Sequence, residues 1–429
     1  MSTKLVPVNA LPSEVLSQIF IYAMPQVKDS LGEIQIPHPA NVITSVCSRW
    51  RQVSIATSSL WSCINIIRRE NDERHRNFLK LVDIWLKRST TVPLHLHIAS
   101  TGHHSYTEHT EEIMLLVQPH IPRTVTLQLY RPSRELCMRI IEHYSNYNGH
   151  VALADLVIQG HFAYRRVPIS PPQRRSELVR PTWPMSALSG LSRLELHNIP
   201  ANFMPAFGDF VRFLLNMPAL RALKLREVGL TGEMDGERPL IVLPKIQELV
   251  IDSGFDPPHL QNVVTLVKPG SRRLVVELGS WFHESINATT FFQHANVTTL
   301  GIRRLSAGDA LGLSQALDYC PQLHWLEFRC ASLRSALEPL VKSTQGGTTA
   351  RCPNLKRLRF HARSISRPAI EELKRVVQAY DLTHLNMNST SSLHEINDNV
   401  LLEWLCQRVQ TVSVGDRIVQ AANGHLNDE

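Results

Sequence analysis

The chain has 429 residues, 43% of them hydrophobic, with a formal net charge of +7 and a pI near 9.1. No apolar run approaches the roughly 18–20 residues that a membrane-spanning helix needs, and the length suits about two or three domains or one long repeat array. The positive balance favours an acidic or phosphorylated protein partner. Nucleic acid is not the expected partner, because the basic residues are spread along the chain instead of forming one tract.

The thiols and the N-terminus bear on the cellular compartment. The seven cysteines are scattered and odd in number, which is typical of reduced thiols and not of a disulfide framework. The N-terminus has no basic segment followed by an apolar core, so we expect no secretory signal. Together these features predict a cytoplasmic and/or nuclear protein without a membrane association.

The first predicted element is a helix that starts in the segment Leu11–Phe20. Pro12 suits the first helical turn, where its missing N–H is not needed, and Glu14 favours the positive end of the helix dipole. A second apolar stripe runs from Val42 to Trp50. Three short helices in about the first sixty residues cannot bury this apolar surface among themselves, so part of it is expected to face another protein.

These segments carry a family resemblance. Leu-Pro-x-Glu-Val-Leu-x-x-Ile-Phe, followed by Val-Cys-x-x-Trp-Arg and then Leu-Trp, resembles the F-box over Leu11–Trp61. The resemblance implies docking to the Skp-family adaptor of a cullin–RING ubiquitin ligase. The alternative is an ordinary N-terminal helical cap whose apolar residues are only core. Carried onto this chain, the resemblance assigns the adaptor contact to Leu11, Pro12, Glu14, Ile19, Val46 and Trp50.

From Cys63 onward, strand-like and helix-like segments alternate, which favours parallel strand pairing. Later in the chain, Leu-x-x-Leu-x-Leu recurs at a period in the twenties and resembles a leucine-rich repeat. The asparagine or cysteine that usually follows the strand is absent, which favours an irregular array. The strand leucines Leu223, Leu249, Leu274, Leu300 and Leu326 are separated by 26, 25, 26 and 26 residues.

The resulting expectation is an α/β fold with three parts. Residues 1–62 are predicted to form a three-helix F-box-like module, and 63–419 an irregular leucine-rich-repeat-like solenoid with a curved parallel sheet. Residues 420–429 are predicted to be a disordered tail. An Arg- and Pro-rich insertion at 164–184 is either a solvated loop or a partner-binding segment, and Ser343–Arg351 is predicted to be a smaller loop.

The sequence contains no catalytic motif with the required residues at the required spacing, so it predicts neither an enzyme nor a cofactor. His95 and His97 lie on one face of a predicted strand and could in principle bind a metal. No Cys-x-x-Cys or His-Glu-x-x-His pattern accompanies them. We therefore expect no metal site.

The predicted strands point alternate residues outward, and the C-terminal part of that outward face is basic. Arginine offers bidentate contacts to anions, and tryptophan often anchors interfaces. The alternative is a ladder of cross-strand charge pairs with no binding role, with Glu195 beside Lys224 and Glu327 beside Arg359. The residues predicted to bind a target protein are Arg303, Trp325, Arg329, Arg357 and Arg359.

Overall fold

Helices and strands alternate along most of the chain in the computed structural model, and the mixed α/β class predicted from the sequence is confirmed. The chain divides into two compact units, Met1–Pro205 and Ala206–Glu429. The predicted boundary between residues 62 and 63 lies inside the first unit and stays a prediction. The structure describes residues 8–24, 38–68, 72–100, 110–147, 152–160, 183, 188–232, 239–252, 258–279, 287–344, 347–389, 399–415 and 417–420.

The first unit begins with three helices and continues with parallel strands that pair in chain order, β1-β2-β3-β4-β5. Each strand is joined to the next by a connection that is long enough for a parallel crossover. The elements are α1 (Ser13–Ala23), α2 (Pro39–Val46), α3 (Ser48–Ala56), β1 (Cys63–Arg68), α4 (Asp72–Arg88), β2 (Leu94–Ser100), α5 (Thr110–Val117), β3 (Thr124–Tyr130), α6 (Arg134–Asn146), β4 (Asp155–Gln159) and β5 (Arg193–Ile199).

The second unit opens with α7 (Phe207–Leu215) and continues with strands and helices. They are β6 (Ala222–Val228), β7 (Ile241–Leu243), β8 (Glu248–Asp252), α8 (Pro258–Leu266), β9 (Val267–Pro269), β10 (Leu274–Leu278), α9 (Asn287–His294), β11 (Val297–Leu305), α10 (Ala310–Asp318), β12 (Trp325–Ser332), α11 (Leu333–Leu337), β13 (Val341–Thr344), β14 (Gly347–Ala350), β15 (Arg357–Ser364), α12 (Arg367–Ala379), β16 (His384–Ser389), α13 (Asn399–Cys406), β17 (Thr411–Val414) and β18 (Arg417–Gln420).

Most strands of the second unit form a parallel sheet in the order β6-β8-β10-β11-β12-β15-β16-β17, and β18 pairs antiparallel with β17. The prediction of a loop at Ser343–Arg351 is wrong, because β13 and β14 pair there as an antiparallel hairpin. Pairing satisfies the backbone groups of this polar segment, and its β-branched Thr348 and Thr349 suit a strand. Of the predicted insertion at 164–184 the structure describes Trp183 alone. Of the predicted disordered tail at 420–429 it describes Gln420 alone, and the prediction is wrong for this residue, because it pairs with Thr411 as the end of β18.

The strand pairing of the second unit places equivalent apolar residues side by side. Parallel strands that keep their register stack the same pattern position from one strand to the next, and alternate residues share a face. The alternation of buried apolar residues predicted from the sequence is confirmed here, since all of these side chains are buried. One predicted equivalence is wrong, because the register shifts between Leu274 and Val275, and Val276 takes the place of Leu274 beside Leu249 and Leu300. One row contains Leu223, Leu249, Val276, Leu300, Leu326, Leu358, Leu385 and Val412, and the next contains Leu225, Ile251, Leu278, Ile302, Phe328, Phe360 and Met387.

The strands of the first unit also stack equivalent apolar residues side by side. Its two rows join equivalent positions of β1 to β5, and the side chains in both rows are buried. The strand-like segments that the sequence predicts from Cys63 onward are therefore present in this unit. The rows are Ile64, Leu96, Leu127, Leu156 and Leu194, and then Ile66, Ile98, Leu129, Ile158 and Leu196.

Helices supply the other side of the core. In α12, Leu373, Val376 and Val377 are buried at helical spacing. The hydroxyl of Tyr380, just after this helix, donates to the carbonyl of Leu340 and accepts the backbone N–H of Arg351 at 3.2 Å. Among the described residues, no helix combines the length and the apolar character that crossing a membrane requires.

Removing one buried strand leucine tests the stacked core. Leu326→Ala should lower the free energy of unfolding by about 2–5 kcal/mol, because it leaves a cavity between Leu300 and Leu358. Denaturant unfolding of the full chain measures this loss. Gln322→Ala, at an exposed position just before the same strand, is the control and should change stability by less than about 0.5 kcal/mol.

Candidate functional site

The N-terminal helices leave apolar side chains exposed. Leu16 and Phe20 of α1 are buried, whereas Ile19 on the same helix is 42% exposed. Val46, at the end of α2, is 56% exposed. Exposed large apolar side chains that recur on neighbouring short helices are typical of a protein-binding surface.

The other residues predicted to contact the adaptor differ in their surroundings. Pro12 and Glu14 are exposed. The carbonyl of Leu11 accepts a hydrogen bond from Nη2 of Arg49, which ties the start of α1 to α3. Trp50 is half-buried, and its ring packs on Phe20 with 4.8 Å between centroids. Trp50 therefore contributes to packing between the helices themselves.

His38 fixes the start of α2 against β1. Its Nδ1 accepts the backbone N–H of Ala40 at 3.2 Å, and its Nε2 lies 2.9 Å from the carbonyl oxygen of Cys63. These two contacts require the neutral tautomer with the proton on Nε2. The ring also stacks on Trp61 and packs on Trp85, with centroid distances of 5.4 and 4.9 Å. Burial lowers the pKa of His38, and the Cys63 hydrogen bond only partly offsets this effect.

In the second unit, the structure brings together four of the five predicted target-binding residues. Trp325 pairs in register with Arg357, and the guanidinium of Arg357 lies over the indole at 5.9 Å from the ring centroid. Arg329 and Arg357 are exposed, and neither makes an ion pair with a carboxylate within the described ranges. Arg359 approaches Glu327 at 3.9 Å. We call Trp325, Arg329, Arg357 and Arg359 the arginine–tryptophan surface.

Arg303, the fifth predicted residue, lies near Trp325 and Arg329, but its guanidinium is engaged by the carboxylates of a charge network. Its Nε binds Oε1 of Glu277, and its Nη1 lies 3.3 Å from Oδ2 of Asp252. The register shifts between Ile302 and Leu305, so Arg303 has no partner position on β12. Irregularities of this kind re-aim a side chain. Arg303 is therefore already occupied by two carboxylates and is less suited to an external anion than Arg329 or Arg357.

The carboxylates of this network are partly removed from water. Asp252 is buried, although the sequence predicts an outward position, and it also accepts from Nη2 of Arg304 at 3.2 Å. Arg226 binds Oε2 of Glu277 at 2.8 Å. Burial raises the pKa of Glu277, and neighbouring carboxylates add to the rise while Arg226 opposes it. The network is held together by paired charges in a partly dry environment.

Cross-strand charge pairs of the kind that the alternative interpretation expects are present. Glu327 lies beside Arg359, as predicted. Lys224 forms an ion pair with Glu248 on the neighbouring strand at 2.9 Å, and Glu195 forms one with Arg193 on its own strand at 2.9 Å. The predicted pairing of Glu195 with Lys224 stays a prediction. The observed ion pairs therefore neutralise much of the outward charge, and Arg329 and Arg357 take no part in them.

His361 lies next to the positive charges of the arginine–tryptophan surface. It pairs in register with Arg329. Burial lowers its pKa, and the nearby charges of Arg329 and Arg359 lower it further, against the opposing effect of Glu327 at 3.7 Å. The arginine–tryptophan surface carries three arginines, of which only Arg359 approaches Glu327 among the described residues, and this balance of charge favours an anionic ligand.

A cavity of about 290 Å³ adjoins this surface and was not predicted from the sequence. Gly301 forms its floor, because a glycine at an outward strand position leaves no side chain above the sheet. The sequence signal that could have predicted the cavity was Gly301, an outward-facing glycine that lies between Glu277 and Glu327 of the two neighbouring strands. Besides Gly301, the lining includes Val275, Glu277, Thr299, Arg303, Trp325, Glu327 and Arg329.

Metal-binding candidates are few. Within the stretches that the structure describes, no three His, Cys, Asp or Glu side chains are grouped so that they could hold a metal ion. Nδ1 of His95 lies 3.0 Å from the hydroxyl of Thr126. Burial, together with the nearby His95, lowers the pKa of His97 to about 4. Both rings are accounted for by packing and hydrogen bonding within the strands.

No protein-family model matches the chain, and a search of curated proteins finds no match. The F-box and leucine-rich-repeat resemblances therefore rest on the residues of this chain.

Acid should weaken the attachment of α2 through His38. The pKa of His38 is lowered from 6.5 in the folded chain, so below about pH 6.5 the unfolded chain binds the proton first and stability falls. Protonation of Nδ1 would also remove the acceptor for Ala40 N–H. Thermal unfolding midpoints measured between about pH 7.5 and 5 should therefore decrease.

His38→Gln separates this contribution from that of other buried histidines. His95, His97, His120 and His361 also have lowered pKa values, so the wild type should lose stability in acid for several reasons. The variant is expected to be less stable than the wild type at pH 7.5 and to lose less on acidification. Parallel pH profiles for the two proteins would contradict the assigned role of His38.

Proposed function

We propose that this chain is the substrate-recognition subunit of a Skp–cullin–F-box type ubiquitin ligase. In this proposal the N-terminal helices bind a Skp-family adaptor, and the strand array binds an acidic or phosphorylated target protein. The observation that carries the proposal is the F-box-like motif together with the exposure of Ile19 and Val46 while Leu16 and Phe20 are buried. The helices keep a core of their own and retain apolar side chains for a partner.

The repeated strand-and-helix units support the second half of the proposal. The paired positions Leu223, Leu249, Val276, Leu300 and Leu326 lie 26, 27, 24 and 26 residues apart, a spacing that suits an irregular leucine-rich-repeat-like solenoid. Such arrays present long rows of outward side chains, and these rows suit the recognition of a protein segment. A cytoplasmic and/or nuclear location belongs to the same proposal.

The proposed mechanism involves no covalent chemistry by this chain. Holding a target and a ubiquitin-charged enzyme in one assembly raises their effective concentration, typically to the millimolar range for short connections. The chain then needs two binding surfaces and no catalytic residue. The exposed Arg329 and Arg357 beside Trp325 supply the target-side surface, because arginine binds carboxylates and phosphates in bidentate geometry.

A repeat scaffold without a ligase role is the second candidate. The packing of Trp50 on Phe20 favours it, because a motif residue that packs inside the helical segment is also what a simple cap would show. The two candidates differ in one measurable property, the binding of the Skp-family adaptor.

Affinity capture of purified Skp-family adaptor by the full-length chain tests the proposal. The double variant Ile19→Glu with Val46→Glu should lose at least about tenfold in affinity, because charges on an apolar interface remain desolvated and unpaired. Trp50→Ala is a poorer test, since it removes the contact with Phe20 and so lowers stability.

The matched control is Leu81→Glu with Ile84→Glu. These apolar side chains on α4 are 46% and 40% exposed, similar to Ile19, and lie outside the motif. The control should retain adaptor binding and a wild-type unfolding midpoint. A folded wild-type chain that ignores the adaptor would favour the scaffold and refute the ligase role.

A further inference from the structure

The cavity and the arginine–tryptophan surface lie on the same face of consecutive strands. Gly301 pairs in register with Glu277 on one side and Glu327 on the other, and Glu327 pairs in turn with Arg359. A straight line across the sheet therefore runs from the cavity floor to the arginines.

The cavity suits one aromatic side chain. Its volume of about 290 Å³ falls just below the range of pockets that hold whole small molecules. Val275, which is 39% exposed, and the indole of Trp325 provide apolar walls. A Cβ at Gly301 would lie 3.4 Å from Cγ of Glu277, at contact distance, so a side chain at this position would take up part of the cavity.

The arginines beside the cavity are available to an anion. Arg329 and Arg357 make no ion pair in the part of the chain that the structure describes, and the approach of Arg359 to Glu327 is loose at 3.9 Å. Arg357 also stacks on Trp325, which holds its guanidinium near the cavity edge. An incoming carboxylate or phosphate would meet charged donors with unused hydrogen-bonding capacity.

The strand spacing sets the distance between the two subsites. Neighbouring strands lie about 4.8 Å apart, so Gly301 and Arg359, two strands apart, are separated by roughly 10 Å. A polyproline II peptide rises about 3.1 Å per residue with three residues per turn, so side chains three positions apart lie on one face of the peptide and about 9 Å apart.

We propose that this face binds a peptide in the polyproline II conformation, in which an aromatic side chain enters the Gly301 cavity and an acidic or phosphorylated residue, three positions away, binds Arg357 and Arg359. The inference rests on the proposed target-binding function and specifies its ligand. A peptide fits better than a single-stranded nucleic acid, because Glu277 and Glu327 flank the cavity and would repel a continuous phosphate backbone.

Fluorescence anisotropy with the full-length chain tests the spacing. The probes are fluorescein-labelled nine-residue Gly/Ser peptides with one tryptophan and one glutamate or phosphoserine, placed one to five positions apart in either order. Affinity should peak at a separation of about three residues and fall at least about tenfold when the anion is removed. A preference for glutamate or for phosphoserine identifies the anion and supports the proposal in either case.

Variants assign the two subsites. Gly301→Val should fill the cavity and abolish the gain from tryptophan, and Arg357→Gln with Arg359→Gln should abolish the gain from the anion. Arg334→Gln, at an exposed position on α11, is the control and should change neither, and all variants should keep the wild-type unfolding midpoint.

Equal affinities at every spacing, no peptide binding, or tighter binding of a nine-nucleotide oligothymidine than of any peptide would overturn the proposal. Peptide binding and adaptor binding are measured separately, so the failure of this proposal can be distinguished from the failure of the proposed ligase role. A chain that binds the spaced peptides but ignores the Skp-family adaptor keeps this site and loses the ligase role, and the reverse result removes only this site.

Discussion

Parallel pairing of successive strands, in a register that shifts at only a few positions of the described strands, is the constraint on which the described features depend. Within each unit, equivalent residues of successive strands lie side by side, so one leucine position in the repeat becomes a continuous buried row. The same constraint orders the opposite face, because residues between the leucines must also stack in rows. The core and the candidate binding surface are thus two consequences of one backbone arrangement.

Rows of charged residues only about 5 Å apart must either pair or repel. Most of the described outward charges pair, as Lys224 does with Glu248 at 2.9 Å. The shift of register after Ile302 directs Arg303 toward Glu277 and Asp252, whereas Arg329 on the next strand points to no carboxylate among the described residues. A local irregularity in one strand therefore decides which arginines are available to a ligand.

The N-terminal helices obey a different constraint, which is their small size. Helices of 8 to 11 residues bury only a narrow stripe each, and contacts with neighbouring segments must complete their stability. His38 provides one such contact by capping α2 and bonding β1 at the same time. The apolar side chains that remain exposed, such as Ile19 and Val46, are the basis of the proposed adaptor contact.

The amino-acid sequence by itself determined the α/β class, the repeat period and the inward leucines, because spacing of apolar residues directly reflects which side of a strand is buried. It also pointed to the basic outward residues near Trp325. Tertiary structure alone decided which charges pair, since Asp252 and Arg303 are 51 residues apart in sequence and meet only through strand pairing. Likewise the hairpin of β13 and β14 and the cavity above Gly301 depend on neighbours brought from distant parts of the chain, and local spacing does not encode them.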